Sequence, residues 1–580
     1  MTPDGQSPPS TQSTHRDAFS AVPADSAVAV FGNDLGSFRP GGARELIVAL
    51  AAAALLAVVL TYPFAAQMTH VGRVDNFDAD FGIWNVAWVA RTLVADPVHV
   101  LDANIFYPHR RTLVYSETNL GAGALAIPAY WATRNPYFTF NVVFLLSIVL
   151  SAVGTYYLVR YLVRDRRAAA VSGICFGFCP YVFGHTPQMQ LLMTAGLPFS
   201  MLAFHRAADR PTVRRGGVLG LVMGAQVAFC GYYAVFVMLM VGFATLTLAA
   251  TRHWWRNRTY WTAIGIAAIV ATVSALPVLI PYAQLQQTTG FSRALVEANR
   301  YSADWRAYFA SSAVAHRWML KIIVHWNEVL FPGFVALVGG AAGLIVGWRR
   351  GDRLREVATL YGALGAVACW ASFGPQAGLY TVLYRTVPPF ALMRAPARFG
   401  IVVTLTLSVL TGIAIREWLA RVARPRPVAL ALVLATTAEL AFPLRFRDVG
   451  SVSPAYTRLA TLPPGPVIEL PFYSNGRELF GHARYMLNST THWMPLVNGY
   501  SDYIPPDFID AAPTLKFFPT REAFRLLVAN RPRYAVFHMN LYGDEDRAAT
   551  TTRIRAFASY LTPLYADNDT QLYEIVGFPP

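Results

Sequence analysis

The chain has 580 residues, of which 54% are hydrophobic and only 14% charged, with a formal net charge of +15. Soluble proteins are about half apolar but about a quarter charged, so this balance argues against a soluble protein and for one embedded in a membrane. The arginines sit in short connectors between apolar runs, so the positive charge reads as orientation control and not as a nucleic-acid surface.

Residues 1–43 are rich in Ser, Pro, Thr, Asp and Gly without periodicity, and predict a disordered cytoplasmic tail with no cleavable signal. Apolar runs of about 18 to 22 residues, long enough to span a hydrocarbon core, predict helices near 45–65, 138–159, 168–184, 188–205, 216–231, 233–250, 260–283, 328–347, 356–373, 400–415 and 427–443. Cys175, Cys179, Cys230 and Cys369 all lie inside these runs and support neither a disulfide framework nor a zinc site. Every second connector (160–167, 206–215, 252–258, 349–355 and 416–426) is dense in arginine. The positive-inside rule then predicts a cytoplasmic N-terminus, eleven spans within a 44–443 membrane domain, and an outer C-terminus. The parity rests on breaking 216–250 into two helices at Cys-Gly-Tyr-Tyr (230–233), since one tilted helix would invert part of the topology.

Three predicted outer segments, 66–137, 284–327 and 374–399, carry the candidate chemistry. The first holds Asp75, Asp78 and Asp80 just after the first span, followed by Trp84 and Trp88, which are expected at headgroup depth on interfacial helices. A carboxylate here suits a general base. Asp78 and Asp80, if extended, would face one Mg2+ or Mn2+ ion, whereas on a helix they would diverge by about 200°. The alternative is that the three acids merely solvate a loop. Glu117 is a candidate second acid or acceptor-rim residue. The hairpin 184–190 presents His185, Gln188 and Gln190 as phosphate or cavity groups, or as interhelical hydrogen-bonding groups. In the second segment Lys321 and His325 are expected on one helix face, within reach of a phosphate. In the third, Arg394 and Arg398 stand four apart before a span and suit bidentate phosphate binding, with anchoring by snorkelling as the alternative. Glu439 lies near the outer end of the last span.

From about 444 the pattern changes. VIELPF (467–472), YAVFHM (534–539) and QLYEI (571–575) predict strands, and 505–516, 520–530 and 544–559 predict helices, so 444–580 is expected to be a small extracytoplasmic α/β domain. Its run 482–506, with His492 and Trp493, suits acceptor-glycan recognition as well as a packed loop. No Gly-rich phosphate loop, nucleophile elbow or metalloprotease helix occurs.

DADFGIWNVAWVARTL (78–93), LDANIFYPHRRTLVYSE (101–117), GHTPQMQLL (184–192), FALMRAPARFG (390–400) and NSTTHWMPLVNGYS (488–501) resemble bacterial membrane proteins of the GT-C fold, relatives of the polyprenyl-phosphate-sugar glycosyltransferases. The resemblance implies a mainly α, multi-pass protein of the bacterial inner membrane. Such a protein would move a sugar from a polyprenyl-phosphate donor to a glycan, lipid or protein acceptor outside the cytoplasm. It implies that Asp78 is the catalytic carboxylate with Asp80 as a neighbour. It departs from the family where a second acidic motif is replaced by His185 and glutamines. A lipid or glycan transporter, or a scaffold for envelope-glycan assembly, are the other classes the sequence admits.

Overall fold

The computed structural model describes residues 42–73 and 76–580; nearly all of the predicted tail, and Asp75, lie outside the described residues. Leu50–Pro580 form one compact unit. The helices in chain order begin with α1 (Ala43–Leu60), α2 (Phe77–Ala95), α3 (Leu120–Thr133), α4 (Pro136–Val163), α5 (Arg166–Gly177) and α6 (Gly196–Asp209). They continue with α7 (Val213–Phe229), α8 (Gly231–Thr251), α9 (Arg258–Thr289), α10 (Phe334–Arg350), α11 (Asp352–Ser372), α12 (Gly400–Leu419) and α13 (Pro425–Glu439). A helix forms within each of the predicted spans, though α6 and α10 start later than expected. Among the described residues, six helices are long and apolar enough to cross a membrane by length and composition.

The break between α7 and α8 falls at Cys230, whose extended backbone (φ −165°, ψ 118°) ends one helix and starts the next. Glycines set the spacing of α7 on α9. A methyl group at Gly220 would stand 2.5 Å from the Ala267 carbonyl oxygen, so only a residue without Cβ permits this approach.

The arginine-rich connectors meet on one side of the bundle. Asp209 bonds Arg252 at 3.1 Å and Arg353 at 2.8 Å, accepts from the Tyr161 hydroxyl at 2.7 Å, and Arg252 also pairs with Glu356 at 2.6 Å. Arg350 pairs with Glu417 at 2.6 Å and so joins the last connector, 416–426, to 349–355.

At the other end the segments predicted to lie outside interlock with the C-terminal residues. Strand β1 (Val71–Gly72) pairs antiparallel with β2 (Arg447–Asp448). A four-stranded sheet of β3 (Val467–Leu470), β4 (Tyr534–His538), β5 (Leu561–Ala566) and β6 (Thr570–Ile575) has the order β3-β4-β6-β5, with β3 and β4 parallel and the rest antiparallel. β5 is the strand the sequence pattern missed; its exposed, proline-bearing edge lacks a buried alternation. The first outer segment extends this architecture: Phe106 N–H donates to Asn498 O at 3.0 Å, Tyr107 N–H to Leu496 O at 2.8 Å, and Leu496 N–H to Asn104 O at 2.9 Å.

Helix α2 is largely buried in this assembly, with α3 packed along it. Trp84 is fully buried and its indole N–H donates to Asn104 Oδ1 at 3.0 Å; Trp88 is 7% exposed and donates to Val100 O at 2.9 Å. The expectation that they sit at headgroup depth as anchors is therefore corrected: both are buried within the protein. Each has a protein acceptor for its one polar atom, which lets the ring go into the core.

Candidate active site

Helix α2 starts at the predicted acidic cluster because Asn76 caps it, its Oδ1 accepting from Asp78 N–H at 2.8 Å. The cap places Asp78 in the first turn, half-buried, with Gln188 Nε2 donating to its Oδ2 at 3.0 Å. Two residues on, Asp80 points elsewhere. It is wholly buried, and its Oδ2 lies 2.9 Å from Arg484 Nε in the C-terminal helix α14 (His482–Asn488). The expectation that the two carboxylates share a cation is thus overturned, since successive even positions of a helix diverge. Asp80 pairs with Arg484 and does not line the cavity that Asp78 faces. Among the described residues no group of three or more His, Cys, Asp or Glu is placed to hold a metal ion.

Asp78 opens into a cavity of about 560 Å3 that is also lined by Glu117, Gln190, Arg394 and Arg398. The arginines do not start a helix together: Arg394 lies in a loop and Arg398 in the single 3-10 turn Pro396–Phe399, with α12 beginning at Gly400. They reach the cavity all the same. The Arg398 guanidinium sits over the Tyr232 ring, 4.2 Å from its centre, and Arg394 N–H donates to the Tyr232 hydroxyl at 2.9 Å. From this polar end the cavity runs between α7, α8 and α9 along Met223, Val235, Ala271 and Leu279. Met238 and Leu279 line it and are 44% and 46% exposed, so its apolar part reaches the helix surface.

Glu117 is a wall residue. Both carboxylate oxygens accept from Gly231 N–H, at 3.1 and 3.2 Å, at the first turn of α8. Burial pushes its carboxyl above the ordinary range, opposed by the Gly231 bond and by Arg398.

The remaining candidates lie away from the cavity lining. His185 is buried, donates from its Nδ1–H to Tyr181 O (2.8 Å) and faces Glu328 at 3.5 Å. Burial would raise the Glu328 carboxyl, but the His185 bond and charge outweigh it and hold it below its usual range. Lys321 and His325 are exposed and share no helix face, because the local helix ends at Ile322 and His325 has a left-handed backbone (φ 63°). His492 stacks on Tyr456 (6.0 Å), and Trp493 lies tilted against Trp88 (5.7 Å), joining the C-terminal segment to α2; neither lines the cavity. Glu439 caps the start of α10 through Phe334 and Val335 N–H and pairs with His316 at 3.1 Å.

Sequence reasoning missed Arg293, Tyr232 and Asp502, all of which line the cavity. Asp502 carried one signal, as the lone acid in the aromatic and amide-rich run 482–506. Arg293 carried none.

Residues 134–279, about a quarter of the chain, match the family model described as dolichyl-phosphate-mannose-protein mannosyltransferase. No curated protein matches the chain. Among solved structures, ArnT from Cupriavidus metallidurans bound to undecaprenyl phosphate is 14% identical, with a TM-score of 0.47 over 93% of this chain and 100% of that one. The oligosaccharyltransferase AglB of Archaeoglobus fulgidus, in complex with an inhibitory peptide and a dolichol-phosphate, is 12% identical, with a TM-score of 0.48 over 91% of this chain and 74% of that one. The family match agrees with the resemblance carried by the short motifs, that to membrane glycosyltransferases using polyprenyl-phosphate donors. It covers α4 to α8 and α9 as far as residue 279, and so most of the helical wall of the cavity; Asp78, Arg394 and Arg398 fall outside it.

Proposed function

We propose that the chain transfers a sugar from a polyprenyl-phosphate donor to an acceptor on the outer side of a bacterial inner membrane. The observation that carries this reading is one cavity with a carboxylate and two arginines at its polar end and an apolar cleft leading to the helix surface. Such a shape suits an amphiphile whose phosphate sits on arginine and whose isoprenoid tail lies between helices.

In the reaction, the Asp78 carboxylate takes the proton of the acceptor hydroxyl as that oxygen attacks the sugar's anomeric carbon. The bond from that carbon to the phosphate oxygen breaks on the opposite face. The electron pair leaves with the lipid phosphate, whose growing charge Arg394 and Arg398 hold, and the configuration inverts. Gln188 fixes the Asp78 carboxylate through its amide N–H. The topology proposed with this reaction has eleven spans, a cytoplasmic N-terminus and the arginine connectors inside, which puts the cavity's polar end and the C-terminal sheet outside.

Purified protein supplied with lipid-linked sugars tests this reading. Transfer should fall at least about 100-fold in Asp78→Asn, the range for loss of a general base, with folding intact by thermal melt. Transfer by that variant at the wild-type rate would remove the mechanism.

A further inference from the structure

The cavity's ionisable carboxylates and guanidiniums balance: Asp78, Glu117 and Asp502 against Arg293, Arg394 and Arg398. The C-terminal segment supplies the acid that takes up most of this cationic capacity. Asp502 Oδ1 is 2.7 Å from Arg293 Nη2 and 3.3 Å from Arg394 Nη2, while its Oδ2 accepts from the Ser116 hydroxyl at 2.7 Å. Arg293 has a second, looser partner in Glu297 at 3.7 Å, and its backbone is fixed by Ala391 O and the Tyr384 hydroxyl. The carboxylate bridging these two guanidiniums stands where a phosphate would bridge them.

We propose that Asp502 is an internal displacing anion of the donor-phosphate site, and that Arg293 is the third arginine of that site. The proposal rests on the glycosyltransferase reading above. A donor phosphodiester carries one negative charge, whereas the lipid phosphate left after transfer is a monoester with about −1.5 to −2 at neutral pH. An all-arginine cradle would therefore hold the product more tightly than the substrate. A tethered carboxylate at high effective concentration competes for Arg293 and Arg394. It yields them when a phosphate enters and retakes them as the product leaves. No bond other than hydrogen bonds is exchanged.

The test uses the full chain in lipid nanodiscs, with farnesyl phosphate as the probe, measuring its affinity directly by calorimetry. The structure predicts that Asp502→Asn binds the monoester roughly tenfold tighter, by loss of an intramolecular competitor. Arg293→Gln should bind it roughly tenfold more weakly, through loss of a charge-assisted contact. Ser116→Ala, which frees one Asp502 oxygen without touching an arginine, should also shift affinity and serves if Asp502→Asn does not fold. Its direction must be towards tighter binding, because loss of the Ser116 bond lowers the effective concentration of the carboxylate at the arginines; weaker or unchanged binding overturns the proposal. Weaker or unchanged binding in folded Asp502→Asn overturns the proposal and makes Asp502 a positioning residue, leaving the donor reading intact. Absence of binding by the wild type overturns both.

Discussion

Asp78 and Asp80 show how two like residues, two apart, part company once a helix forms. Asp78 faces the cavity, while Asp80 is buried against Arg484. Removing one partner of a buried pair leaves the other charge uncompensated; with Arg484 36% exposed, water offsets part of that cost, and about 1–2 kcal/mol is expected. Asp80→Asn should lower the melting temperature yet keep transfer per folded molecule within about threefold, since the Asp80–Arg484 pair does not line the cavity. A loss of transfer at unchanged stability would contradict that assignment. Glu117 gives the pH-dependent counterpart. Its carboxyl is held above 4.5 by burial, so its contribution to stability is complete below that value and is lost as pH rises through the raised one. Glu117→Gln should lose less stability than the wild type between pH 4.5 and neutrality, as read by thermal melts across that range. Parallel curves would show that the carboxyl titrates normally.

The elements that build the cavity were legible in the sequence to different degrees. Helix positions followed from apolar runs and the Cys230 break, and the first-loop carboxylate from its place after a span. The direction of Asp80 stayed open because a residue pair at spacing two looks alike in an extended loop and in a helix until the Asn76 cap fixes which forms. Lys321 and His325 failed for the converse reason, a helix too short to carry both. Asp502 and Arg293 are 209 residues apart, and nothing local in either segment reports a contact of that range. The α7–α9 wall makes a sharper prediction. Gly220→Leu forces a side chain against the Ala267 carbonyl, so the helices must part and the apolar cleft must change shape. Overpacking of this kind costs about 1–3 kcal/mol, and the affinity for a long isoprenoid phosphate should fall more than that for a short one. Equal losses for both would place the tail elsewhere.

Across the whole molecule, charge and chemistry are sorted to opposite ends. One end gathers the arginine connectors around Asp209, and the other gathers the predicted outer segments and the C-terminal loop at Tyr500–Asp502 around the cavity's polar mouth. The C-terminal residues are accordingly part of the site's wall, reaching it through Tyr500 and Asp502 and tying down α2 through Arg484. The most direct measurement is a cryo-electron microscopy map of the protein with a polyprenyl phosphate bound in nanodiscs. The account predicts phosphate density within hydrogen-bond reach of Arg394 and Arg398, on the same chamber as Asp78, with the chain running between α7, α8 and α9. Phosphate bound outside that chamber, or Asp78 on the face of the bilayer that carries the arginine connectors, would contradict it.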